Sequence, residues 1–174
     1  MKYELLIKKA RDFAIEKHGN QMYGDKPYIF HLDEVFNLSL HYNLPPIYQV
    51  ASYLHDLLED KNITKEEIVN NFGYEVYDLI FSVSGFGETR KDRALDIKNK
   101  LEINHNSINL KMIDRIANVK NSILNNPKLL KMYKKEHPEY LEIFSKGDEQ
   151  IFNDLNDLLS FENKKVSISK IKSF

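Results

Sequence analysis

An all-α fold is what the sequence predicts, and three observations predict it. Apolar residues recur at i, i+3 and i+4 through most of the chain. No stretch keeps the two-residue alternation of a half-buried strand. Glycine, proline and capping residues separate the helical segments, and no internal repeat or low-complexity tract interrupts them. A chain of 174 residues is most simply one domain, here assigned to residues 1–162.

Leu6, Ala10, Phe13, Ala14 and Lys17 mark a first helix reaching about His18. Gly19-Asn20 ends it, and Gly24-Asp25-Lys26-Pro27 reads as a polar loop. A second helix runs from about His31 to His41 with Val35 and Leu38 inward. Pro45-Pro46 breaks the chain and opens a third, because proline suits a first helical turn. Thr64-Lys65-Glu66-Glu67 has the capping-box pattern, and the short helix it starts should stop at Gly73. Val76, Leu79, Ile80 and Val83 form the stripe of the next helix. Gly85-Phe86-Gly87 then precedes a basic helix over about 89–103. Three more follow, over about 108–124, 128–144 (interrupted at Pro138) and 148–160. The segment 163–174 holds four lysines and no acid, lacks a core period, and reads as a mobile basic tail.

The third helix carries the most informative run, Tyr53-Leu54-His55-Asp56-Leu57-Leu58-Glu59-Asp60. If helical throughout, it sets His55, Asp56, Glu59 and Asp60 within an arc of roughly 140°. Ala51, Leu54 and Leu58 then fall opposite, as a core face. Imidazole with carboxylates suits a divalent cation such as Zn²⁺, Mn²⁺ or Fe²⁺, and further acids one turn away suit metal-assisted hydrolysis. A solvated acidic face is the plainer reading of a lone His-Asp pair. His31 and Asp114 would complete a two-imidazole, two-carboxylate set, although Asp114 has ion-pair candidates in Lys111 and Arg115.

Bulk properties narrow the field. A formal charge of −1 provides no global attraction to nucleic acid or anionic membrane. With no cysteine there is no disulfide frame and no thiolate site. No signal peptide or membrane span is visible, so a cytoplasmic protein acting on a small molecule is expected, of unspecified oligomeric state.

The order His31 … His55-Asp56 … Asp114 resembles the H…HD…D signature of HD-domain phosphohydrolases. Pro27-Tyr28-Ile29-Phe30-His31 is similar to the PYIxH segment of their alarmone-hydrolase branch, which cleaves ppGpp. His55-Asp56-Leu57-Leu58-Glu59-Asp60 is similar to the HDxxED box of that branch. Phe72-Gly73-Tyr74-Glu75-Val76 resembles its FGxEV turn, and Ile113-Asp114-Arg115-Ile116-Ala117-Asn118 its ADRLHN segment. One such box is weak, but four in order over about residues 5–120 are specific.

The resemblance implies a compact HD-domain helical fold and one divalent metal, usually Mn²⁺, on His31, His55, Asp56 and Asp114. It implies Glu59 and Asp60 as the acids that orient and deprotonate a metal-activated water. Asn118 would contact nucleotide, Tyr23 would stack on a base, and Arg90 or Arg93 would reach phosphate. Arg115 is equally a phosphate contact or an ion-pair partner for an acid such as Asp56. The implied reaction removes 3′-pyrophosphate from (p)ppGpp. Departures touch the substrate contacts: Gln21–Asp25 is one residue short and lacks arginine, Lys61 replaces threonine, Ala117 replaces histidine, and Lys120 replaces arginine. An HD hydrolase of another nucleotide or phosphoester is therefore the alternative, and a nucleotide-sensing helical domain a third reading.

Overall fold

A computed structural model describes residues 2–60 and 63–160. The basic tail expected over 163–174 lies outside the described residues, as does the side chain of Asp60. Eleven α-helices make up most of what is described. They are α1 Lys2–His18, α2 Ile29–His41, α3 Pro46–Leu54, α4 Leu57–Asp60, α5 Lys65–Phe72, α6 Tyr74–Val83, α7 Arg90–Ile103, α8 Ile108–Asn125, α9 Pro127–Glu136, α10 Leu141–Phe144 and α11 Glu149–Ser160. Short 3₁₀ turns, His105–Ser107 and His137–Tyr140, lead into α8 and α10. The all-α expectation holds, with one small addition. The loop after α1 closes as a two-residue hairpin, β1 Met22–Tyr23 against β2 Lys26–Pro27. Two residues a side are too few for an alternation to show in sequence.

The predicted stripes are the buried ones. Ala10, Ala14, Leu32, Val35, Val50, Ala51 and Leu54 are fully buried where α1, α2 and α3 pack together. Helix α8 lies against α2, α3, α6, α9 and α11, and contributes Ile108, Leu110, Met112, Ile113 and Val119 to the same core. Thr64 caps α5 by accepting the Glu67 N–H, and Gly73 ends it at φ +91°, where a side chain would be strained. Thr89 and Asp92 form a reciprocal capping box at the start of α7.

One element departs from expectation. The helix bearing the acidic run is not continuous: α3 stops at Leu54, His55-Asp56 form a turn, and α4 begins at Leu57. The Ser52 carbonyl, the receptor for the Asp56 N–H if the helix continued, accepts the His55 imidazole N–H at 2.8 Å. The His55-Asp56 part of the run is therefore no solvated face. His55 is buried, Leu57 joins the core, and Asp56 turns inward. No helix among the described residues is long and apolar enough to cross a membrane.

Candidate active site

Three packed elements bring His31, His55, Asp56 and Asp114 together. His31 projects from the first turn of α2, His55-Asp56 from the break between α3 and α4, and Asp114 from the second turn of α8. Asp56 Oδ2 lies 3.1 Å from His55 Nε2 and 3.5 Å from His31 Nε2. Asp114 Oδ1 faces the same two nitrogens at 3.6 and 3.4 Å. Ligands about 2.1 Å from one metal sit roughly 3 Å apart on adjacent octahedral positions, so these gaps suit a shared divalent cation. The tightest grouping is His31, His55 and Asp56, with Asp114 joining through both imidazoles.

The protonation geometry also fits a metal. His55 donates Nδ1–H to the Ser52 carbonyl, so its Nε2 lone pair points into the cluster. That Nε2 is buried without a hydrogen-bond partner among the described atoms. A buried, unsatisfied nitrogen aimed between two carboxylates is costly unless a cation or proton occupies the space. Burial disfavours charge on His55, yet Asp56 and Asp114 outweigh it and hold the imidazole well above the usual histidine range. Burial likewise opposes ionisation of both acids. His55 nevertheless holds Asp56, and Lys111 holds Asp114, well below the usual carboxylate range. The cluster is thus built for ionised carboxylates beside a positive charge.

Supporting contacts orient each ligand. The Tyr28 hydroxyl donates to Asp56 Oδ2 at 2.7 Å, while its ring stacks on His18 at 4.3 Å. Lys111, half-buried one turn before Asp114, donates to Asp114 Oδ2 at 3.1 Å and to the Val83 carbonyl at 3.2 Å. Asp114 therefore has one oxygen neutralised by lysine, while the other, Oδ1, faces both imidazoles. Asn118 donates to Asp114 Oδ1 at 2.5 Å and accepts from the Tyr23 hydroxyl at 2.9 Å. Tyr23 stacks on His31 at 4.8 Å.

A cavity of about 290 Å³ opens onto the cluster. Glu59 lines it, with one carboxylate oxygen held by the Gly85 N–H. Burial pushes the Glu59 carboxyl above its usual range, against the pull of Lys111. Arg90, Arg93, Arg115 and Asn118 also line the cavity, so four of the five expected substrate contacts face it. Tyr23 reaches it only through Asn118 and His31. Arg93 donates to the Gly87 carbonyl at 3.2 Å. Arg115 pairs with Glu136 at 3.1 Å, and Arg90 grips both oxygens of the same carboxylate at 2.6 and 3.1 Å. The acid partner considered for Arg115, Asp56, is replaced by one from α9.

Glu136, Tyr133 and Tyr140 on this wall escaped sequence reasoning, because α9 and the turn after it bear no motif. Tyr28 read as core, although its place four residues after Gly24 and three before His31 was the available signal. On the other side of α7, Lys100 pairs with Asp96 at 2.5 Å. It lines a separate cavity of about 740 Å³, near Tyr48 and Phe81, that shares no lining residue with the cluster.

No protein-family model matches the chain. Individual relatives do. It is 35% identical over 120 residues to a guanosine-3′,5′-bis(diphosphate) 3′-pyrophosphohydrolase of Aquifex aeolicus, covering 66% of this chain and 17% of that protein. It is 33% identical over 124 residues to a protein of the same description from Spiroplasma citri, covering 66% and 16%. Among solved structures, one described as a metazoan ortholog of SpoT that hydrolyzes ppGpp superimposes with a TM-score of 0.78. That match is at 19% identity and covers 88% of this chain and 93% of the other. Over about two thirds of its length the chain is thus similar to ppGpp 3′-pyrophosphohydrolases, and it shares the fold of the metazoan structure. It spans about a sixth of the length of the curated relatives it matches. The His31, His55 and Asp56 group could hold a divalent cation.

Proposed function

We propose that this chain is a metal-dependent phosphohydrolase that removes the 3′-diphosphate of ppGpp as pyrophosphate. The observation that carries the reading is a buried two-imidazole, two-carboxylate cluster opening onto one cavity with Glu59 and a wall of guanidinium groups. The names of the Aquifex and Spiroplasma relatives supply the substrate class.

His31, His55, Asp56 and Asp114 would hold one divalent cation, which we assign as Mn²⁺. When bound, such a cation supplies Lewis acidity that makes water a nucleophile near neutral pH. Glu59, its carboxyl raised by burial, accepts the proton of the attacking water, with Asp60 as its neighbour in that role. Arg90, Arg93 and Arg115 bind the diphosphate through paired N–H donors and hold its phosphorus beside the cluster. The water oxygen bonds to the phosphorus carried on the 3′ oxygen, and that P–O bond breaks. The 3′ oxygen takes a proton, leaving a guanosine 5′-diphosphate and pyrophosphate. Asn118, and Tyr23 through it, border the side where the nucleoside would lie. We place this chemistry in the cytoplasm.

A second reading, hydrolysis of another nucleotide, draws support from the Gln21–Asp25 turn, which carries no arginine. Assaying the Mn²⁺-loaded protein against ppGpp, simple 5′-nucleotides and NADPH separates the two. The expected result is pyrophosphate release from ppGpp at the highest kcat/KM. No ppGpp cleavage beside rapid turnover of another substrate would overturn the alarmone reading and keep the hydrolase.

A further inference from the structure

The guanidinium wall is already occupied by an anion of the protein's own. Glu136 is the last residue of α9, where the helix carbonyl end disfavours a negative charge. Its carboxylate is nevertheless set into the cavity wall, gripped on one side by both Arg90 donors and on the other by Arg115. Two guanidiniums converging on one oxyanion make the arrangement that recognises a phosphate group. The two arginines are unequal. Arg115 is 8% exposed and lies under the rings of Tyr133 and Tyr140, 4.9 and 5.1 Å from their centres. Arg90 is 52% exposed at the cavity rim. Glu136 itself retains 21% exposure, so its carboxylate is not sealed in.

Charge arithmetic points the same way. Among the described lining residues, Arg90, Arg93, Lys111 and Arg115 face Asp56, Glu59, Asp114 and Glu136, four cations against four carboxylates. Lys111 is committed to Asp114, and Arg93 spends one nitrogen on the loop carbonyls of Gly87 and Glu88. The Arg90–Arg115 pair is then the positive charge most able to exchange partners, and Glu136 is what it must exchange.

We propose that Glu136 is a specificity-determining latch: its carboxylate stands in for a phosphate on Arg90 and Arg115 and must be displaced by the incoming phosphoryl group. This deepens the hydrolase reading, since it concerns how the same cavity admits its substrate. A monoanionic or weakly charged ligand gains little by replacing a carboxylate that already satisfies both arginines. A dianionic or more highly charged phosphate gains the difference, so the latch selects for charge.

The test uses sulfate, a tetrahedral dianion that the protein cannot hydrolyse, titrated into the protein loaded with Zn²⁺, a diamagnetic ion suited to the imidazole–carboxylate set. Arginine Nε–H signals are followed by NMR, and activity is assayed separately. In the wild type, sulfate should shift the Nε–H signal of Arg90 and the Glu136 side-chain carboxyl carbon together. Glu136→Gln should bind sulfate about tenfold more tightly, within the roughly 10- to 150-fold range of one charged hydrogen bond. Glu136→Asp should restore wild-type affinity. On the preferred nucleotide, Glu136→Gln should lower KM with little change in kcat. Unchanged or weaker sulfate affinity in Glu136→Gln overturns the latch. So does a wild-type titration that leaves the Arg90 and Glu136 signals still, a measurement that needs no variant to fold. Tighter sulfate binding without any ppGpp cleavage keeps the latch and discards the alarmone substrate.

Discussion

Tyr28 shows how much a single hydroxyl is asked to do. Its ring is held by the stack on His18, so removing the oxygen leaves the packing intact but frees Asp56 Oδ2 from its 2.7 Å donor. Partners that orient metal ligands typically contribute 10- to 100-fold in metal affinity or activity. Tyr28→Phe should therefore bind Mn²⁺ about tenfold more weakly in a calorimetric titration, with its melting temperature in excess metal near that of the wild type. Unaltered affinity would reduce the hydroxyl to a packing detail. Glu59 tests the division between holding metal and moving protons. It lines the cavity and is held by the Gly85 N–H, and among the described residues it makes no hydrogen bond or ion pair with the imidazoles. Glu59→Gln should retain stoichiometric metal while turnover falls roughly 10²-fold or more. Loss of metal from a folded variant would make Glu59 a ligand. The same expectation applies to Asp60→Asn.

Two elements hold the cavity wall in place. Helix α7 presents Arg90 and Arg93, and Gly85 lies against it so closely that an added Cβ would sit 2.8 Å from the Arg93 carbonyl oxygen. Gly85→Ala must push α7 outward or distort the loop, which costs about 1–3 kcal/mol for overpacking of this kind. It should also lose turnover, since the Gly85 N–H steadies Glu59. A circular-dichroism melt with a paired activity assay checks both effects. Helix α9 has no fully buried residue, and it is tied to the cavity by Glu136 and Tyr133. Burial raises the Glu136 carboxyl, but Arg90 and then Arg115 outweigh it and leave it below the usual range. A carboxyl lowered on folding contributes stability above its unfolded value, and that contribution fades as pH falls through the folded one. Acid titration of the melting temperature should thus show a flatter limb below about pH 4.5 in Glu136→Gln.

At the scale of the whole molecule, the cluster joins α2, the α3–α4 turn and α8, which also share the core. A ligand bound only by the folded state stabilises all three at once. Metal at a hundredfold excess over its dissociation constant adds about 2.7 kcal/mol, or roughly 5–10 °C for a chain of this size. Chelation should lower the melting temperature by that order, and His55→Ala should abolish the metal-dependent part of it. A melt indifferent to metal would separate the cluster from the fold's stability.

The helices were legible because their signals are local. Apolar spacing, the Thr64 cap, Gly73 and Pro45-Pro46 each act within a turn or two of backbone, so one strand of sequence carries them whole. The identities of the cluster residues were also legible, through ordered motifs and the chemistry of imidazole and carboxylate. The break at His55 was not, because it depends on whether an imidazole claims the Ser52 carbonyl, a choice made by packing around the ring. Nor was the partner of Arg115. Asp56 is a chemically reasonable acid for it, but the course of α9 brings Glu136 to within 3.1 Å. Spacing along the chain specifies which groups can share a helix face. Which faces then meet, from residue 31 to residue 114 and on to residue 136, is decided by the burial of side chains distant in sequence, and only the tertiary structure contains that.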